Sequence, residues 1–144
     1  MAEREEMART LQLLGTIPLF ASLDEKQLKT VARTAQEKSI APGGTVVRQG
    51  EKGIGLYIIL DGEVAVERAG KKVATLRPGQ FFGEMALIDE QPRTADVRAT
   101  TAVRCLLLSR WEFWSVFADQ PEVIRALLTE TVRRLRGAGT GLTE

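Results

Sequence analysis

Glu84 and Arg93 are the two residues of this 144-residue chain best equipped for chemistry, because of the run that carries them. That run is Phe82-Gly83-Glu84-Met85-Ala86-Leu87-Ile88-Asp89-Glu90-Gln91-Pro92-Arg93-Thr94-Ala95. It places a glycine and backbone N–H groups at the start of a short helical turn, where negative charge is favoured. Gly83 has no Cβ, so a ligand oxygen can approach the main chain. Arg93 is a planar cation able to give two parallel hydrogen bonds to a phosphate. Glu84, when ionised, only accepts and suits a hydroxyl donor. The set fits an anion with a sugar hydroxyl beside it. One charge-assisted Arg–phosphate bond contributes on the order of 1.5–3 kcal/mol. With the N–H groups and a hydroxyl contact, micromolar binding, about −8 kcal/mol, is expected.

The elements that must position this run are read from periodicity. Met7, Leu11 and Leu14 share one helical face, which Gly15 ends. A second helix is expected from Ser22, with Ser22 and Glu25 as a capping box and Leu28, Val31, Ala32 and Ala35 as its apolar stripe. From Glu37 the pattern changes to short strands punctuated by glycine. Leu56–Leu60 reads as a buried strand, Asp61-Gly62 as a hairpin turn, and Glu63–Glu67 as a strand alternating with period two. Ala69-Gly70 and Arg77–Gln80 read as further turns, and Ala95–Ala99 and Ala102–Leu108 as strands after the motif. Many short strands at regular spacing predict a sandwich or barrel. Ser109 and Glu112 form a second capping box, with Phe113, Trp114 and Phe117 facing inward. Pro121 suits the first turn of a last helix whose apolar face is Ile124, Leu127, Leu128, Thr131 and Leu135. The predicted organisation is a helical segment 1–36, a β-barrel 37–109 holding the motif at 82–95, C-terminal helices 110–137 and a tail 138–144.

Composition narrows the chemistry. Hydrophobic residues are 44% of the chain, enough for a globular core, and 20 basic residues nearly cancel 19 acidic ones. No global field marks a nucleic-acid or membrane binder. There is no histidine and only one cysteine, Cys105, which excludes histidine catalysis and an internal disulfide. No nucleophile–base pair or metal cage is visible, so no enzyme, no metal site and no cofactor are expected. The charged N-terminus is not a signal peptide, and the apolar runs are too short to span a bilayer, so a cytoplasmic location is expected. Cys105 is expected to point into the barrel, Trp111 and Trp114 to sit in the core or at its rim, and Arg133, Arg134 and Arg136 to form a solvated helix end.

Residues 82–95 resemble the phosphate-binding cassette of the cyclic nucleotide-binding domain family, to which the sensor domains of catabolite activator protein and the protein kinase A regulatory subunit belong. That cassette looks like Phe-Gly-Glu-(Leu/Ile/Met)-Ala-Leu, a short spacer, then Pro-Arg-(Ala/Ser/Thr)-Ala. The resemblance covers roughly residues 14–136. A second signature runs from Val47-Arg48-Gln49-Gly50 through Leu56–Ile59 to Gly62-Glu63-Val64. It implies a mainly β fold, a jelly-roll-like β-barrel flanked by N-terminal helices and two C-terminal helices. It implies main-chain N–H groups of Gly83 and Ala86 on a cyclic phosphate, Arg93 neutralising that phosphate and Glu84 on the ribose 2′-hydroxyl. Thr94 would add a hydroxyl near phosphate or base. The implied ligand-binding set is Phe82, Gly83, Glu84, Met85, Ala86, Arg93, Thr94 and Ala95. Many family members carry an acid after the glycine matching Gly53, able to pair with the cassette arginine; here that residue is Ile54.

The reading is a regulatory domain that binds cyclic AMP first and cyclic GMP second, and moves its C-terminal helices. Its partners are a cyclic mononucleotide, an effector domain or protein, and a second copy through the last helix. Two rivals stand beside it: an interaction module of this fold that binds no nucleotide, and the sensor part of a transcription regulator lacking its DNA-binding domain. Few residues follow Leu135, so either a free-standing sensor or the regulatory piece of something longer is expected.

Overall fold

The computed structural model describes residues 2–89 and 92–137. Helix α1 (Ala2–Gly15) leads through a 3-10 turn at Pro18–Phe20 into α2 (Glu25–Thr34). Strands β1 (Gln36–Ile40), β2 (Thr45–Val47), β3 (Gly55–Asp61), β4 (Val64–Arg68), β5 (Lys71–Leu76) and β6 (Phe81–Phe82) follow. A 3-10 turn at Glu84–Leu87, β7 (Asp96–Ala99) and β8 (Val103–Ser109) complete the β region, and α3 (Arg110–Phe117) and α4 (Pro121–Arg136) end the chain. The expected β architecture with flanking helices is present, as two four-stranded antiparallel sheets ordered β1-β8-β3-β6 and β2-β7-β4-β5.

Two cores divide the apolar residues, and β3 belongs to both. Leu56, Ile58 and Leu60 point to the helical side, where they meet Leu14, Phe20, Val31, Phe113, Phe117 and Leu127. Tyr57 and Ile59 point between the sheets, toward Val66, Phe82, Val97 and Leu107. Strand side chains alternate between faces, so a strand buried on both sides must read as an unbroken apolar run. Cys105 lies in the inter-sheet core as expected, and burial pushes its thiol up to about 11.

Four sequence expectations are corrected. Asp61-Gly62 is not a hairpin: β3 pairs with β6 and β8, whereas β4 pairs with β5 and β7, so the turn carries the chain from one sheet to the other. Gly62 adopts φ +87 there, and a Cβ would lie 2.1 Å from the carbonyl oxygen of Ala102. Strand β4 does not alternate, since Val64, Ala65 and Val66 are all buried. The cap of α2 is Asp24 rather than Ser22: its carboxylate accepts from Gln27 N–H, and the Gln27 side chain accepts from Asp24 N–H. On α4 the buried seam is Val123, Leu127 and Thr131, while Leu128 and Leu135 are exposed. The Ser109–Glu112 box on α3 and Pro121 in the first turn of α4 stand as expected.

Candidate functional site

Strand β6 pairs with β3 at Tyr57–Phe82, which fixes where the next residue, Gly83, begins the cassette. Gly83 adopts φ +85, a left-handed conformation, and a Cβ there would lie 2.5 Å from Nη1 of Arg93 and 2.6 Å from the oxygen of Gly55. On the other side, a Cβ at Gly53 would lie 3.2 Å from Cζ of Arg93 and 2.8 Å from Cβ of Ala86. Two glycines therefore make the slot in which the Arg93 guanidinium lies. Arg93 is only 8% exposed, and its Nη2 donates to the Gly55 carbonyl at 2.9 Å. Ile54 offers the guanidinium no side-chain acceptor, and the backbone carbonyl of Gly55 serves as one. The guanidinium also lies 5.7 Å from the Tyr57 ring centre. Burial pushes the Tyr57 phenol up, and the charge of Arg93 partly offsets this. The main chain of Arg93 is tied to the 48–53 loop, accepting from Gly50 N–H at 2.9 Å and donating to the Glu51 carbonyl at 2.7 Å.

Glu84 opens the 3-10 turn and is fully buried. Its Oε2 accepts from Nη1 of Arg134, fifty positions later on α4, at 2.8 Å. The same guanidinium donates through Nη2 to the Phe81 carbonyl at 2.7 Å and through Nε to Glu130 at 3.0 Å, and it lies 4.5 Å from the Phe81 ring centre. Two further bonds tie the turn to α3. Arg110 Nε donates to the Ala86 carbonyl at 3.2 Å, and Trp114 Nε1 donates to the Leu87 carbonyl at 2.7 Å. A buried carboxylate deprived of its cation retains its desolvation penalty, which makes the Glu84–Arg134 pair a demanding contact. The 84–87 turn is thus wired to both C-terminal helices.

The sequence-predicted residues divide by position. Gly83, Glu84, Ala86 and Arg93 gather around the turn. Phe82 and Ala95 are core residues: Phe82 stacks on Tyr57 with ring centres 4.9 Å apart, and Ala95 is buried between the sheets. Met85 is half-buried and Thr94 exposed. The Ala86 N–H donates to the Gly83 carbonyl at 3.1 Å, closing the 3-10 turn. The solvated helix end is corrected at Arg134, which is engaged with Glu84 and Phe81. Trp111 is neither core nor rim, being 83% exposed, whereas Trp114 is partly buried. Sequence reasoning missed Arg110, Arg134 and the slot glycine Gly53 as parts of the site. The density of glycines at 50, 53 and 55, and the family acid expected next to Gly53 beside the cassette arginine, hinted at the last.

Residues 37–120 match the family described as "Cyclic nucleotide-binding domain". The chain belongs to the cyclic nucleotide-binding domain family. A cyclic nucleotide-gated potassium channel of Mesorhizobium japonicum is 34% identical over 94% of this chain and 37% of its own length. A CRP-like cAMP-activated global transcriptional regulator of Mycobacterium tuberculosis is 30% identical over 92% of this chain and 62% of its own length. Among solved structures, the Thermus thermophilus catabolite activator protein superposes with a TM-score of 0.78 at 32% identity, over 87% of this chain and 61% of its own. The N-terminal domain of a transcriptional regulator from Streptomyces coelicolor gives 0.72 at 34% identity, over 90% and 93%. The chain spans well under half the length of the channel and under two thirds of the M. tuberculosis regulator. Among the described residues no helix is long and apolar enough to cross a membrane.

Proposed function

We propose that this cyclic nucleotide-binding domain is a regulatory sensor for cyclic AMP, with cyclic GMP as the second choice, and that it transmits occupancy through α3 and α4. The observation that carries the reading is the buried ion pair between Glu84 on the cassette and Arg134 on α4. A ribose 2′-hydroxyl donating to Glu84 would share the carboxylate that Arg134 holds. A cyclic phosphate at the Gly83 turn would draw Arg93 from the Gly55 carbonyl. Both events act on a turn whose carbonyls at Ala86 and Leu87 are held by Arg110 and Trp114. Binding moves an equilibrium only by its difference in affinity for two states, and these contacts are where two states can differ.

The reading makes the chain a switch and assigns it no reaction. Its output would go to an effector domain or protein working in the cytoplasm. A second copy is proposed to pack along α4, where Leu128, Val132 and Leu135 are exposed at 54%, 47% and 49%. Their four-then-three spacing is that of a short coiled-coil seam. Calorimetry with both nucleotides tests the ligand, and Arg93→Ala should weaken binding by about tenfold or more. Hydrogen exchange of residues 121–136 tests the coupling: protection there should change at saturating ligand. Identical exchange with and without bound nucleotide would remove the coupling, and no heat with either nucleotide would leave the non-binding interaction module as the better account.

A further inference from the structure

Helix α4 presents three faces, and the coupling described above uses one. Val123, Leu127 and Thr131 are buried, and Leu128, Val132 and Leu135 form the exposed stripe. The third face, with Ala126, Thr129 and Arg133, walls a cleft of about 500 Å³ closed on its far side by the 18–22 elbow and the 79–81 loop. That volume falls within the range of about 300–1,000 Å³ typical of small-molecule sites. Pro18, Ala21 and Ala126 give the cleft accessible apolar lining over the nearly covered Leu19 and Phe81, and Ser22, Gln80 and Thr129 add polar groups. Three arginines, 125, 133 and 134, line it against two acids, Glu122 and Glu130. Glu130 is already shared by Arg133 and Arg134. Arg125 makes no ion pair among the described residues. No residue of the 82–95 cassette lines the cleft, so it is separate from the nucleotide site.

We infer that this cleft is a second binding site, for a small anion with a flat apolar body of the arylalkanoate class. The apolar body lies against Pro18, Ala21 and Ala126, and the carboxylate meets Arg125. The site touches the cassette from behind. Phe81 and Arg134 line it, and Arg134 carries Glu84 on its Nη1. An occupant therefore perturbs the guanidinium that joins α4 to the cassette. The binding inference does not depend on the chain responding to a cyclic nucleotide.

The test is a titration of the ¹⁵N-labelled protein with 4-phenylbutyrate, with no nucleotide present. Saturable shifts are expected at the amides of Ala21, Gly79 and Ala126, with the Arg134 side-chain Nε–H following the same midpoint at about 1 mM or below. Arg125→Glu, at an exposed position, should weaken the affinity about fivefold, and the neutral 4-phenylbutyramide should bind the native protein correspondingly more weakly. Ala126→Leu should abolish binding by filling the cleft. Shifts that fail to saturate, shifts confined to Leu128, Val132 and Leu135, or unchanged affinity in Arg125→Glu would each overturn the inference.

Discussion

Two arginines each fasten a terminal helix to the β region, and they do so on opposite terms. Arg104 on β8 gathers Glu6 from α1, Glu37 from β1 and Asp61 from β3, with carboxylates 47%, 47% and 64% exposed. Arg134 on α4 takes one fully buried carboxylate, Glu84, plus Glu130 and the Phe81 carbonyl. The first region gathers three exposed carboxylates, and the second holds drier partners, one of them fully buried. Exposed pairs exchange protein contacts for water contacts and contribute little, with a median of about 0–1 kcal/mol. A buried charge stripped of its partner costs about 3–5 kcal/mol. The number of salt bridges is therefore a poor guide to which helix is strongly tied. Burial of the partner decides it, and burial places the stronger tie at the cassette.

The comparison breaks most readily at Arg134. Arg134→Met should cost about 3–5 kcal/mol in urea unfolding, because Glu84 stays buried without that cation. Pairing it with Glu84→Gln should recover part of the loss in a double-mutant cycle, since the amide carries no charge to strand. A coupling energy near zero would place the pair on a par with the Arg104 cluster. Next in size is a pH effect in the inter-sheet core. Burial keeps the Cys105 thiol neutral up to about 11 in the fold, against an ordinary value of 9.0. Between those pH values the unfolded chain loses this proton and the native one keeps it, so its contribution is intact below pH 9 and lost as pH rises toward 11. The loss amounts to roughly 2 kcal/mol, and Cys105→Ala should flatten the stability curve over that interval. Smallest is Arg104→Ala, expected to cost about 1 kcal/mol or less and to grow milder with added salt. A cost comparable to that of Arg134→Met would contradict the burial argument directly.

The fold was legible where local rules act alone. The glycine turns, the Ser109–Glu112 cap, the Leu56–Leu60 strand and the cassette itself are short-range patterns, and the structure carries them. Where distant parts decide, the sequence was mute. Asp61-Gly62 has the composition of a hairpin, but its strands belong to different sheets because their partners β8 and β7 lie far along the chain. Glu63–Glu67 looked half-exposed because polar ends hid three residues that are all covered. Arg134 resembled an ordinary helix-end cation, as Arg133 and Arg136 do. Nothing in its neighbours announces a carboxylate fifty positions away. Glu84 and Arg93 were recognisable as a chemical pair, while the glycine slot around Arg93 and the link from Glu84 to α4 emerge only when the turns are folded together.

Trp114 offers an optical use for the bond between its indole N–H and the Leu87 carbonyl. The other tryptophan, Trp111, stands 83% in solvent and contributes a steady red-shifted background. A displacement of the Glu84–Leu87 turn relative to α3 would stretch or release the bond from Trp114. The protein thus carries its own fluorophore at the joint between cassette and helix, and a Trp111→Phe variant would make its emission readable without a dye.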